Sequence, residues 1–185
     1  MNQRLRLVLV LVAIWGITFG IIKLARAAKP TAQSVAAYVQ KANINSMTAA
    51  DRQKTIMRIE EMMNRISYED RQKLRRDRVT DRFFRSLTPE EQTGFLDATL
   101  PTGFKQMMES FNKMDPVKRK EFVDRALAEM RKHEGEEPPP SINDKNVQKI
   151  VDNGLRSFYS DANADVKLDL TPLVEQMQKN LQGPR

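Results

Sequence analysis

The chain has 185 residues, no cysteine and one histidine, with 30% charged and only 6% aromatic residues. The lack of cysteine excludes a disulfide framework, a thiolate nucleophile and a zinc–thiolate site. The formal charge of +7 is unevenly placed: residues 1–30 hold Arg4, Arg6, Lys23, Arg26 and Lys29 and no acid, leaving +2 for the remainder. Basic residues flanking an apolar run set membrane topology, so the excess points to a membrane before it points to nucleic acid.

That run is Leu7–Ile22, bounded by Arg6 and Lys23. As a helix it covers roughly 24 Å of an approximately 30 Å hydrocarbon layer, and snorkelling by Arg6 and Lys23 closes the gap. An uncleaved anchor is expected. The alternative is a signal peptide cleaved after Ala25-Arg26-Ala27, which Lys23 and Arg26 disfavour because a cleavage region is usually uncharged. Basic residues are nearly balanced on the two sides, and the bulk of the chain is placed outside the cytoplasm. Within the span Gly16 and Gly20 form a GxxxG with Ala13 on the same face, a candidate surface for helix dimerisation in lipid.

Beyond the anchor (residues 1–30), Thr31–Asn43 reads as a short helix interrupted at 43–46. Four stretches then share one layout: Met47-Thr48-Ala49-Ala50-Asp51-Arg52, Ile66-Ser67-Tyr68-Glu69-Asp70-Arg71, Leu87-Thr88-Pro89-Glu90-Glu91-Gln92 and Met114-Asp115-Pro116-Val117-Lys118-Arg119. Each is an apolar residue followed by an N-cap. In the first three an acid stands three places on, the capping-box position, where Asp is short for the task. Pro89 and Pro116 occupy the first helical position, where a missing N–H costs nothing. Thr99-Leu100-Pro101 is expected to start an additional helix. The identical tetrapeptides at 51–54 and 70–73 leave open duplication or convergence on a common helix start.

Ile56, Ile59, Met62, Met63 and Ile66 recur at helical spacing, as do Phe104, Met107, Met108, Phe111 and Met114, and then Phe122, Val123, Ala126, Leu127 and Met130. In segment 67–86 Leu74 falls off the face formed by Val79, Phe83 and Leu87. The helical region 31–133 ends at a Glu/Pro-rich linker, 134–142, and a C-terminal helical segment follows, 143–185. There Val166, Leu170, Leu173, Val174, Met177 and Leu181 keep helical spacing through Pro172, which either kinks one helix or opens a new one behind Thr171.

The chemistry on offer is limited. His133 lies where a helix should end and suits its dipole. Asp161, Asn163 and Asp165 mimic the opening of a calcium loop, but Val166 and Pro172 replace its glycine and bidentate glutamate, which favours a polar turn. No cofactor or metal is expected. Arg71, Arg75, Arg78, Arg82 and Arg85 fall within about 80° on a helical wheel, a continuous basic ridge beside Asp77 and Asp81. A salt-bridged solvated face, anionic lipid and an acidic partner are its candidate roles. Nucleic acid is disfavoured for want of aromatic platforms. Phe104, Met107, Met108 and Phe111 are either core or a partly exposed face for a hydrophobic partner, since methionine serves both.

The capped starts and the tail Val166–Met177 resemble uncharacterised bacterial membrane-anchored helical proteins, a resemblance that implies no activity. Leu87-Thr88-Pro89-Glu90-Glu91-Gln92 also resembles the LTxxQ motif of Spy/CpxP-type periplasmic chaperones, with the Gln one place late. The resulting expectation is an all-α chain: a single N-terminal transmembrane helix, then an irregular region of about seven or eight short helices. Its expected role is a non-enzymatic, single-pass scaffold or protein-interaction protein of the bacterial envelope, partnering other proteins or itself. A periplasmic chaperone-like binder of hydrophobic clients is the alternative.

Overall fold

A computed structural model describes residues 29–132 and 144–181, which form eight α-helices, one 3₁₀ turn and no strand. The helices are α1 (Ala32–Lys41), α2 (Ala49–Arg65), α3 (Tyr68–Arg76), α4 (Val79–Arg85), α5 (Pro89–Asn112), α6 (Pro116–Lys132), α7 (Asp144–Asp161) and α8 (Ala164–Leu181), with the 3₁₀ turn at Ile44–Ser46. Among the described residues no helix is long and apolar enough to cross a membrane. The expected anchor, residues 1–30, lies almost wholly outside the described residues.

Local capping decides where helices begin. Thr88 and Glu91 make a complete capping box: Glu91 N donates to Thr88 Oγ1, and Thr88 N donates to Glu91 Oε2. Thr48 and Ser67 accept from the N–H three residues on, but Asp51 and Asp70 do not close the box. Their shorter carboxylates instead accept from the cap hydroxyl, at 2.8 and 3.1 Å. Asp115 caps α6 through Val117 N and Lys118 N.

A second device recurs at the joints. Four residues after each cap stands a long donor, which reaches back to a carbonyl four residues before that cap. Arg52 donates to Ile44 O at 2.9 Å, Arg71 to Met63 O at 2.5 Å, Gln92 to Phe84 O at 3.1 Å and Arg119 to Phe111 O at 3.2 Å. A fifth copy, with no counterpart among the four sequence stretches, joins α7 to α8: Asn163 accepts from Val166 N and Lys167 donates to Tyr159 O at 2.7 Å. Each donor adds a side-chain hydrogen bond to a carbonyl at the end of the preceding helix or turn; Ile44 O, Phe84 O and Phe111 O also accept a backbone N–H from their own turn.

The buried side chains gather in two cores. The first takes Val35 from α1, Ile56, Ile59, Met62 and Met63 from α2, Leu74, Val79 and Phe83 from α3 and α4, and Phe95 from the front of α5. The second takes Met108 and Phe111 from the back of α5, Val123 from α6, Phe158 and Ala162 from α7 and its joint, and Val166 and Leu170 from α8. The boundary therefore runs across α5, a helix of 24 residues, and the expected linker 134–142 does not separate the cores. Residues 144–181 belong to the second core, with α5 and α6.

Within that core α7 lies parallel to α5. Thr93 meets Asn146, Asp97 meets Lys149, Phe104 meets Gly154 and Asn112 meets Asp161, in order along both helices. Gly154 permits the approach, because a Cβ there would sit 3.3 Å from the Phe104 ring. Asn112 binds the other joint with both amide atoms, donating to Asp161 O and accepting from Asn163 N. Two helical hairpins, α5–α6 and α7–α8, thus lie side by side with their turns together.

Two sequence expectations need correction, and the alternative left open at Pro172 is decided for one helix. Thr99-Leu100-Pro101 begins no helix, since α5 runs straight through Pro101. Thr99 is buried and turns its hydroxyl to Phe95 O at 2.7 Å, so it back-bonds within the helix and caps nothing. The carbonyl stripped of its donor by Pro101 is that of Asp97, an exposed residue, where water can replace the bond. Pro172 follows the same logic inside α8: Thr171 donates to Lys167 O, and the stripped carbonyl belongs to exposed Leu168. Finally, segment 67–86 is two helices. Leu74 and Val79 would lie about 140° apart on one helix. The chain breaks at Asp77 and Arg78, and Leu74, Val79, Phe83 and Leu87 all become buried in one core.

The joints carry measurable energy. Arg119 is 4% exposed, pairs with Asp169 at 2.5 Å and serves both Phe111 O and Met114 O. Arg119→Ala should lower unfolding free energy by about 3 kcal/mol in chemical denaturation, and the more exposed Lys167→Ala by about 1 kcal/mol or less. Equal losses would show that burial does not set the strength of a joint.

Arg52 makes a bidentate pair with Glu91, at 2.6 and 2.7 Å. Hydrogen bonding from Arg52 holds the Glu91 carboxyl below its ordinary value against partial burial, helped by Thr88 N–H and the Arg52 charge. A depressed folded pKa means stabilisation that is complete above the unfolded value of about 4.3 and lost as pH falls through the folded one. Arg52→Ala should flatten the acid limb of the stability–pH curve. An unchanged limb would assign acid sensitivity to other carboxylates.

Candidate functional site

The basic ridge expected from the helical wheel does not exist as one surface. Arg71 turns inward to the α2–α3 joint, donating to Met63 O and, at 3.3 Å, to Gln106 Oε1 on α5. Gln106 in turn donates to Ile66 O. Gly103 makes room on α5, since a Cβ there would lie 3.3 Å from the Arg71 guanidinium. Burial without a facing carboxylate pushes the Arg71 pKa down. It is a structural cation, and the other four ridge residues are separated from it.

Arg75 sits on the last turn of α3, and Arg78, Arg82 and Arg85 line the far side of the break. All four are exposed, as is Arg76. Arg78 is the one non-glycine residue with positive φ among the described residues, at 53°. It stands at the N-cap of α4 with no capping side chain. This bend brings Arg78, Arg82 and Arg85 around a concavity of about 600 Å³ shared with Asp77 and Asp81. A face salt-bridged by those acids was one of the candidate roles. No carboxylate among the described residues lies within ion-pair distance of Arg75, Arg76, Arg78, Arg82 or Arg85. A smaller hollow beside it is lined by Arg82, Phe83 and Ser86 together with Val39, Gln40 and Ala42 at the end of α1 and Asn43, Ile44 and Asn45 just beyond it.

The candidate partner face is covered. Met108 and Phe111 are 4% and 3% exposed, Met107 packs on the second core, and Phe104 lies against Gly154 of α7. The sequence could not decide this, because α7, which covers the stripe, lies some 40 residues downstream. In contrast, Phe122 is 37% exposed although it was grouped with the third apolar stripe, and its ring leans on Phe111 at 5.0 Å. Of the six large apolar side chains that stand exposed among the described residues, Val117, Phe122, Tyr159 and Leu168 belong to α6–α8.

The Asp161–Asp165 stretch is the α7–α8 joint, with Asn163 as a cap. Ser157 donates to Asp161 Oδ2, and no group of three or more potential ligands that could hold a metal occurs among the described residues. His133 and the small-residue face Ala13, Gly16 and Gly20 lie outside the described residues. No family model, curated protein or solved structure matches the chain.

If the Phe104–Phe111 stripe is core, Met107→Ala with Phe111→Ala should cost several kcal/mol, with Phe111→Ala alone about 3–5 kcal/mol in urea titration. A double variant that melts normally would return this stripe to the surface.

Proposed function

We propose that the chain is a non-enzymatic, single-pass membrane-anchored scaffold of the bacterial envelope, whose helical region presents a surface to a protein partner or to a second copy. The observation that carries this reading is the exposure of Val117, Phe122, Tyr159 and Leu168, at 66, 37, 62 and 74%. Single exposed apolar residues are ordinary, but their concentration on α6–α8 makes these three helices the place to test for a partner. The anchor rests on the uncharged run between Arg6 and Lys23, and self-association through Ala13, Gly16 and Gly20 is part of the same proposal.

The chaperone-like alternative draws on the same four side chains and on the Leu87–Gln92 resemblance. In this chain Gln92 is taken up by the fold, its amide donating to Phe84 O and Leu87 O at the α4–α5 joint. That favours the scaffold.

Full-length protein should remain in the membrane pellet after alkaline carbonate washing, with its N-terminus intact. A soluble product beginning near Ala28 would overturn the anchor. Val117→Glu with Leu168→Glu should remove crosslinked partners while changing stability by less than about 0.5 kcal/mol each, as surface substitutions do. An unchanged set of crosslinks would move the partner surface elsewhere. Loss of aggregation suppression toward an unfolded client, with specific crosslinks unchanged, would favour the chaperone reading.

A further inference from the structure

We propose that the bend between α3 and α4 is a second membrane contact, in which Arg78, Arg82 and Arg85 receive the phosphate groups of anionic lipids in the membrane that holds the anchor. This rests on the single-pass reading above.

Three observations converge on this corner. The first is unused charge. Arg52, Arg71 and Arg119 spend their guanidinium groups on joint carbonyls, whereas Arg75, Arg76, Arg78, Arg82 and Arg85 are exposed and make no ion pair among the described residues. Unpaired guanidinium groups keep their planar donor forks available for phosphate oxygens.

The second is backbone strain. Arg78 holds φ 53° at a position where glycine or asparagine would sit more easily, and no capping hydrogen bond from its side chain repays the cost. The bend is needed for packing, but an arginine is not. Its side chain joins Arg82 and Arg85 around the concavity.

The third is reach. The apolar run ends at Ile22 and α1 begins at Ala32. Nine residues span at most about 32 Å, and α1 adds roughly 15 Å. Arg82 shares a hollow with Val39, Gln40 and Ala42 at the end of α1. The tether therefore keeps the arginines within roughly 47 Å of the membrane at raised effective concentration, and α1 lying along the surface brings them to the headgroups.

Asp77 and Asp81 share the concavity and leave it an excess of one positive charge. That suits monoanionic phosphodiesters arrayed on a surface. A polyanion such as nucleic acid calls for a larger and less interrupted field.

The cysteine-free chain makes the test direct. Asn45→Cys, on the hollow that includes Arg82, carries a fluorophore in the full-length protein. The protein is placed in nanodiscs of phosphatidylcholine alone or with phosphatidylglycerol, each containing a headgroup-linked quencher. Quenching should be roughly twofold or more stronger in anionic discs, and the excess should vanish in high salt and in Arg78→Glu/Arg82→Glu/Arg85→Glu. Arg78→Gly should hold or raise the melting temperature, because it relieves the left-handed strain, and should still reduce the lipid-dependent quenching. Equal quenching in both disc types, or a charge reversal without effect, overturns the proposal. So does an Arg78→Gly variant that melts lower yet quenches normally, which would give Arg78 a purely structural role. A charge-dependent response to a soluble acidic peptide in neutral discs, matching that to anionic lipid, would assign the arginines to a protein. A chain that leaves both kinds of disc defeats the anchor reading itself, whereas equal quenching with the chain retained defeats only the lipid contact.

Discussion

Short helices cannot hold themselves. α4 has 7 residues, α3 has 9 and α1 has 10, all below the length at which an isolated helix becomes stable in water. The interaction that makes such pieces usable is the joint, in which a cap starts one helix and a donor four residues later closes the element before it. The donor and the cap lie one turn apart on the same face, so the two helices are fixed at an angle as well as joined in sequence. Breaking a joint exposes a carbonyl and frees a hinge together. Arg119 shows the fullest form, since one buried guanidinium holds Phe111 O, Met114 O and the α8 carboxylate of Asp169.

α5 then turns a string of joints into one body. Its front half enters the first core through Phe95, which meets Phe83 edge-on at 5.4 Å, and its back half enters the second through Met108 and Phe111. A helix of 24 residues is about 36 Å long. It pays for that length with a proline, and the broken bond falls on an exposed turn. The parallel placement of α7 on α5 depends on Gly154 and on Asn112, two residues with no apolar signal to announce them.

Much of this was legible from sequence, for identifiable reasons. Caps are local, so Thr48, Ser67, Thr88 and Asp115 marked real starts, and Asp51 and Asp70 proved too short to complete a box. The stripe Ile56–Ile66 is buried because one helix and one period govern it. What failed involved competition between local signals and distant neighbours. Pro101 reads as a start until the helix is held from both sides. The arginine wheel assumes an unbroken helix, and the need to bury both Leu74 and Val79 breaks it. The fate of Phe104–Phe111 was set by α7, beyond a linker. The fifth joint was hidden because Asn163 and Lys167 stand where the earlier copies have Thr, Ser or Asp and Arg or Gln, although the spacing is the same.

Arginine therefore does two jobs here, and a side-chain cap four residues earlier separates them. Four residues after a Thr, Ser or Asp cap it is spoken for, with its charge directed at backbone carbonyls, as in Arg52, Arg71 and Arg119. Without such a cap, as in Arg75, Arg78 and Arg85, or in Arg82 four residues after Arg78, whose side chain caps nothing, it stays in solvent. A basic count taken over α3 and α4 mixes the two kinds and overstates the field outside. Sorting by register leaves a smaller excess gathered at one bend, with two acids beside it. A surface of that size gains little from any single contact. It becomes effective when another part of the chain already holds it close to its target, because then each weak attraction acts at high local concentration. The anchor expected at the N-terminus would supply that tether. Any role for the bend thus depends on what lies at the other end of α1.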